Sequence, residues 1–440
     1  MSKKLGNKSQ ILKVLIVSVH SSKNAGDFAL LAQTIYFLRK ALGNIEISVV
    51  ANWPEEPEWA RLDVEIIASP WWILRIWDKS IKPRFQVFSF MKSFFFLFLY
   101  KLKICWKFKK IVPKEWITLY EKISSSDLMV AVSGNQIFSS GKFGWPLPVV
   151  SLPIFLGKVF RKTIVVFPQS IGPLKTKFEK MLVRYLYSNL EKVYIRDTKS
   201  MELVKKLGLT GSKPSFMFDP AFTFPPISKT QAIKILTTLG FDTTRKNIGI
   251  TVISNMPSYL ADEVITLYYQ SLAETITELV EDNDAHIYMF SQVRGPTDDE
   301  DDRKGIARVL NLIPENCRTR GVTQIEDLLS PEELKACYGQ MDLFIASRLH
   351  SGIFSMSMGV PTLFIGYLHK TLGMLISLGM EKYYLDINYL STSSILNYFY
   401  DMWGNRSEII KEIDTTMVMV VDTLNTFPYE LTEVFLESKN

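Results

Sequence analysis

The chain has 440 residues, 47% of them hydrophobic and 22% charged, with a net charge of +6 at pH 7. That length supports two cores, because one domain commonly takes about 100–200 residues, and the composition is that of a folded chain rather than a disordered one. A charge of +6 on so large a surface, with no RNP-like or zinc-finger signature, excludes nucleic acid as the expected partner.

Three cysteines, Cys105, Cys317 and Cys337, show no CxxC spacing. A disulfide framework and a zinc site are therefore not expected, which fits a reducing cytoplasm. Lys3-Lys4 followed by an apolar stretch loosely mimics a signal peptide, but Lys13 interrupts it and no small-residue cleavage site follows. Val14-Leu15-Ile16-Val17 reads instead as a first strand buried on both faces. Asn24-Ala25-Gly26-Asp27 forms the loop after it; Gly26 permits a sharp turn and Asp27 can cap a helix running to about Lys40. Ile47 to Val50 is the next strand.

Residues 85–116 break the pattern. From Phe85 to Tyr100 the only charge is Lys92, and six lysines, Lys101, Lys103, Lys107, Lys109, Lys110 and Lys114, follow. Sixteen residues fall short of the roughly 20 needed to span a bilayer. As a helix the segment has one narrow polar stripe, Gln86, Ser89, Lys92 and Ser93. That suits a helix lying in a membrane interface beside an anionic surface; a helix covering the sheet, or an oligomer contact, is the alternative.

Strand, polar tip and helix then repeat. Leu128 to Val132 ends in Ser133-Gly134-Asn135, and Thr163 to Phe167 ends in Pro168-Gln169-Ser170-Ile171-Gly172-Pro173. Val193-Tyr194-Ile195 ends in Arg196-Asp197, where the arginine is either an anion ligand or the partner of Asp197 or a neighbour. Asp219-Pro220-Ala221 and Pro225-Pro226-Ile227-Ser228 read as the linker. Later strands are Asn247 to Val252, His286 to Phe290, Leu343 to Ala346 and Thr362 to Ile365. The acidic run Asp298 to Asp302 is expected to cap and solvate the helix from Arg303 onward, not to hold a metal. These elements predict an α/β chain with an N-terminal domain over 1–222, which includes the aromatic and basic segment, a C-terminal domain over 223–385, and a helical stretch over 386–440.

The segment with most chemistry is Ser347-Arg348-Leu349-His350-Ser351-Gly352, with Gly359-Val360-Pro361 and Lys370 behind it. A strand-to-helix junction gathers free N–H groups and the positive end of a helix dipole, so anions bind there. Arg348 can fork onto a carboxylate or phosphate, and His350 can move a proton near neutral pH.

In order along the chain, Asn24-Ala25-Gly26-Asp27, Gln169-Ser170-Ile171-Gly172-Pro173, Arg196-Asp197-Thr198-Lys199-Ser200, Asp219-Pro220-Ala221, Ser347-Arg348-Leu349-His350, Gly359-Val360-Pro361 and Tyr367-Leu368-His369-Lys370 make the sequence resemble the polysaccharide pyruvyltransferase family. The chain departs from that pattern at Ser133-Gly134-Asn135-Gln136, where a glycine-rich turn is usual, and at Pro168, where glycine is usual. The resemblance implies a GT-B-like fold, two Rossmann-like domains facing a cleft, with the C-terminal stretch packing back on the first domain. It implies transfer of pyruvate from phosphoenolpyruvate to a hydroxyl pair of a cell-surface polysaccharide or its lipid-linked precursor, with no cofactor beyond that co-substrate and no metal. On this reading His350 is the catalytic acid and base. Arg196, Arg348, Leu349, Lys370, Asn24, Gly26, Asp27, Gln169 and Ser170 hold substrate, the acceptor side falling to the first domain and the donor side to the second. The expected setting is cytoplasmic, peripheral on the inner face of an anionic membrane. A nucleotide-sugar glycosyltransferase of the same fold, or a non-catalytic subunit of a polysaccharide assembly complex, are the alternatives.

Overall fold

The computed structural model describes residues 11–104, 107, 110–139, 145–209, 214–254, 256 and 259–438. Expectations for Lys3, Lys4, Cys105 and Lys109 lie outside the described residues.

Short apolar runs become parallel strands because both faces are covered by helices. The first sheet holds β1 Leu12–Val19, β2 Ile45–Ala51, β3 Glu65–Ala68, β4 Leu128–Ala131, β5 Gly134–Ile137, β6 Thr163–Ile171, β7 Lys192–Ile195 and β8 Pro214–Phe216. Their order is β3-β2-β1-β4-β6-β7-β8, with β5 paired to β6. The second sheet holds β9 Lys246–Thr251, β10 Ala285–Phe290, β11 Val322–Gln324, β12 Leu343–Ala346, β13 Thr362–Gly366 and β14 Tyr384–Asp386, in the order β11-β10-β9-β12-β13-β14. Every pairing recorded in both sheets is parallel. Each order reverses once, between β1 and β4 and between β9 and β12. In open parallel sheets that reversal opens a crevice at the carboxyl ends of the strands, where ligands bind.

The two halves meet on both sides of that crevice. The loop after β1 lies against the loop after β10: Ala25 N–H donates to Gln292 O at 3.1 Å, and Arg294 N–H to Lys23 O at 2.9 Å. Opposite, the helices Thr198–Leu207 and His369–Leu378 are in contact, with Thr198 Oγ1 donating to Gly373 O at 3.1 Å. Gly373 allows this approach, since a Cβ there would lie 2.7 Å from Asp197 Oδ1.

The C-terminal helix, Arg406–Glu437, reaches back to the first half. Phe427 packs edge-on against Phe37, Phe167 and Tyr194, at 5.5, 5.0 and 4.9 Å between ring centroids. Thr432 Oγ1 donates to Ala41 O at 2.9 Å. The acidic run departs from its expected role at Glu300, which pairs with His20 at 3.5 Å, and at Asp302. Asp301 caps the helix Asp302–Leu310 through Arg303 N–H, but Asp302 turns inward and is wholly buried.

Candidate active site

The site is built on two strand tips, one from each sheet. Beyond β12, Arg348 is the N-cap residue of the helix Leu349–Ser357, and no side chain caps that helix. Ser351 Oγ instead donates to Arg348 O at 2.8 Å and meets Thr251 Oγ1 at 2.7 Å, which ties the helix start to the tip of β9. The junction is buried between helix and sheet, and it sets His350 against Gly26 and Asp219 of the first half.

Arg348 is held by the acid that turned inward. Its Nε and Nη2 lie 3.1 and 2.5 Å from Asp302 Oδ1. Burial works against the guanidinium charge, but the Asp302 carboxylate more than offsets this and keeps Arg348 above the ordinary arginine range. Asp302 is fixed in turn, its Oδ2 accepting from Val293 N–H at 2.9 Å.

Arg196 follows β7 and has the same kind of anchor. It pairs with Asp219 through Nη1, and its Nε donates to Ser170 Oγ at 2.9 Å. Asp197, the neighbour weighed as its partner, caps the helix Thr198–Leu207 instead, accepting from Ser200 N–H at 2.8 Å. Asp219 is read from the sequence as part of a linker and of a family motif, with no role at the site, yet its carboxylate is buried between Arg196 and His350, 3.8 Å from His350 Nε2. Burial alone would raise its pKa; the charge of Arg196, then His350, then the Ala221 N–H outweigh burial and hold it far below the usual carboxylate range. The turn that carries Asp219 is pinned from the second half by Lys335, whose buried Nζ donates to Phe224 O at 2.7 Å and Phe222 O at 2.9 Å.

One donor of this cluster stays open. Arg196 Nη2 is buried and has no hydrogen-bond partner, while His350 Nε2 makes no hydrogen bond and faces the Asp219 carboxylate at 3.8 Å. A buried donor without an acceptor is costly, so the arrangement is poised to receive an anion or a hydroxyl. Lys370 is the third cation. Burial first, then the charges of Arg196 and Arg348, push its pKa down to about 8, while Asp27 and Asp197 pull it upward.

The expected site residues thus divide. Arg196, Arg348, His350, Lys370, Ser170, Asp27 and Gly26 gather at the crevice. Gly26 does so for a reason unrelated to turning: it lies inside the helix Ala25–Leu42, and a Cβ there would fall 2.1 Å from His350 Nδ1. The helix backbone therefore forms the floor under the imidazole. Three others have side chains engaged elsewhere. Asn24 caps the helix through Gly26 N–H at 3.0 Å. Gln169 is wholly buried, donating to Val132 O at 2.8 Å and accepting from Tyr187 at 2.7 Å. Leu349 packs its side chain into the core. Asp219 and Asp302 are the residues that sequence reasoning missed. Their partners lie 23 and 46 residues away, a separation that no local pattern encodes. Among the described residues no group of three or more His, Cys, Asp or Glu could hold a metal ion.

Comparison with known structures places the fold. The chain is similar to HepE of Anabaena, solved with UDP-glucose, at 10% identity and a TM-score of 0.58, covering 97% of this chain and 100% of that one. It is also similar to a putative UDP-N-acetylglucosamine 2-epimerase of Listeria monocytogenes, at 11% identity and a TM-score of 0.58, covering 96% and 98%. The fold is GT-B-like, two parallel-sheet domains around a crevice. A curated relative, the amylovoran biosynthesis protein AmsJ of Erwinia amylovora, is 22% identical over 431 residues, spanning 91% of this chain and 94% of that protein. The family model for polysaccharide pyruvyl transferase matches residues 24–369, from the cap before Gly26 to the residue before Lys370, and the chain belongs to that family.

Proposed function

We propose that this transferase takes pyruvate from phosphoenolpyruvate and joins it as a ketal to two hydroxyls of one sugar, in an exopolysaccharide or its lipid-linked precursor. The observation that carries the reading is the cluster of Arg196, Arg348 and Lys370 around His350, with the buried Nη2 of Arg196 left without a partner. Phosphoenolpyruvate has a carboxylate and a phosphate on a three-carbon frame, and charge-assisted hydrogen bonds suit both, Arg196 offering the Nη2 that Ser170 and Asp219 leave free. Asp219 and Asp302 hold the arginines in place before substrate arrives, so little reorganisation is needed when charge develops.

Ketal formation proceeds by an addition and then a displacement. In the first, a sugar hydroxyl oxygen bonds to C2 as a proton reaches C3, turning the methylene into a methyl group. His350 delivers that proton and receives the one released by the hydroxyl. In the second, another hydroxyl of the same sugar bonds to C2 and the C2–O bond to phosphate breaks. Inorganic phosphate leaves with the bonding electrons, and the hydroxyl proton passes to His350 or to the phosphate. Arg196, Arg348 and Lys370 offset the anionic charge throughout, so no metal is required.

Calorimetric titration with phosphoenolpyruvate and, separately, with UDP-glucose tests the donor. The expected result is a saturable heat with phosphoenolpyruvate that Arg348→Ala abolishes. Binding of UDP-glucose alone would turn the assignment toward a nucleotide-sugar transferase.

A further inference from the structure

The helix Pro83–Lys101 buries Phe96, Leu97 and Leu99 together with two polar residues. Gln86 is buried, with Nε2 donating to Arg75 O at 3.0 Å, and buried Ser93 donates to Phe90 O at 2.6 Å. The polar stripe expected from the sequence is therefore split, with Lys92 outside and Gln86 and Ser93 within. Facing out are Phe88, Met91, Phe95 and Phe98, each more than half exposed at 56, 64, 54 and 57%. Spacings of three and four residues place them on one side. Soluble surfaces seldom expose so contiguous an apolar stripe without a use for it.

The stripe continues onto neighbouring helices. Phe94 meets Phe155 at 5.9 Å, and Phe155 meets Tyr185 at 6.4 Å, between ring centroids. Tyr185 belongs to the helix Lys177–Tyr187, where Phe178, Met181 and Tyr185 are exposed and the one acidic residue, Glu179, is buried. Lys177, Lys180 and Arg184 are exposed beside them. Two helices thus present apolar crests flanked by basic residues on one face.

Charge identifies the occupant. Residues 79–114 contain ten basic residues and no acidic one, more than the +6 of the entire chain, so the remainder is net acidic. Cations stand over the rings of the apolar surface: Lys92 Nζ lies 4.6 Å from the Phe88 ring centroid, and the Arg84 guanidinium 5.0 Å from that of Phe85. A second copy of the chain would bring this basic rim against its own kind. We propose that the face formed by the helices Pro83–Lys101 and Lys177–Tyr187 docks on an anionic lipid surface, rings at the level of the acyl boundary and lysines among the headgroups. No helix among the described residues is long and apolar enough to cross a membrane, so the contact is peripheral. The helix Lys177–Tyr187 is joined by residues 172–176 to Ile171, which lines a groove with Pro173, Tyr259, Leu368 and His369 beside Lys370. On the pyruvyl-transfer reading, a sugar carried on lipid would reach that groove without leaving the surface.

Flotation with phosphatidylcholine vesicles, with and without phosphatidylglycerol, tests the proposal and needs neither donor nor acceptor, so its failure leaves the donor reading standing. The full chain is expected to float with phosphatidylglycerol vesicles at low salt and to release at high salt. Each basic residue near the surface is worth about fivefold in partitioning. Changing Lys82, Lys103, Lys107 and Lys110 to Glu should thus lower flotation at least tenfold, and Phe88→Gln with Phe95→Gln and Phe98→Gln should lower it comparably with an unchanged circular dichroism spectrum. A chain that stays in the soluble fraction, or flotation that survives both variants, overturns the proposal. A dimer by light scattering that the triple Gln variant dissociates, without vesicle binding, would make a second copy the occupant.

Discussion

Gly26→Ala adds one methyl group and separates two opposed expectations. In most helices this exchange stabilises by about 0.5–1 kcal/mol, because alanine loses less backbone freedom on folding. Here the new Cβ would lie 2.1 Å from His350 Nδ1 and 2.3 Å from Cγ, where ordinary contact begins at 3.4 Å. The imidazole must retreat by about 1 Å or more, or the helix Ala25–Leu42 must lift. Overpacking of this kind costs roughly 1–3 kcal/mol, so a net loss of about 1–2 kcal/mol is expected. Gly404, at the end of the helix Thr392–Gly404, is the control, because a Cβ there meets nothing within 4 Å. Urea unfolding of both variants should show a lowered midpoint for Gly26→Ala and an unchanged or raised one for Gly404→Ala. Pyruvyl transfer should fall only in the first, as a ring displaced by an ångström leaves its reacting position. A Gly26→Ala protein as stable and active as the wild type would refute the placement of His350 on the helix backbone.

Three further outcomes follow from the charges. Asp219→Asn leaves Arg196 buried without its counter-charge and should cost about 3–5 kcal/mol in urea unfolding. Because the folded pKa of Asp219 lies below its unfolded value, the wild-type advantage is fully present above about pH 4 and shrinks as pH falls through the folded value; an advantage constant down to acid pH would contradict this. Lys370 is charged below a pKa of about 8 and neutral above it, so KM for phosphoenolpyruvate should rise above pH 8 in the wild type and stay flat to higher pH in Lys370→Arg. His350→Ala should abolish turnover while retaining donor binding by calorimetry, and near-normal turnover would remove His350 from the chemistry.

The alternation of strands and helices was legible because a strand covered on both faces must be an unbroken apolar run, as in Leu343 to Ala346. The polar tips were legible for the complementary reason, since ligand-facing loops interrupt those runs at fixed places, as at Ser347-Arg348. Carboxylates that act at long range were not. Asp302 stands in an acidic run in which Asp301 caps a helix and Glu300 pairs with His20, and nothing local marks the one that turns inward to Arg348. Asp219 sits between proline-rich turns that resemble a linker, and only the assembled sheet brings Arg196 to it. Gly26 shows a third limit: its neighbour His350 is in the other half of the chain, so a steric need looked like a turn. The helix Pro83–Lys101 has aromatic residues on every side, which hides the face that packs. The hydrogen bonds from Gln86 to Arg75 O and from Tyr120 to Ser93 O fix it.

The central claim is tested most directly by the product. The enzyme is incubated with phosphoenolpyruvate and a panel of lipid-linked and free oligosaccharides, and each acceptor is examined by mass spectrometry while inorganic phosphate is assayed. The account predicts an acceptor heavier by pyruvic acid less water, one phosphate released per product, and neither change with His350→Ala. A hexose added from UDP-glucose in a parallel reaction, with no pyruvyl product from phosphoenolpyruvate, would contradict it.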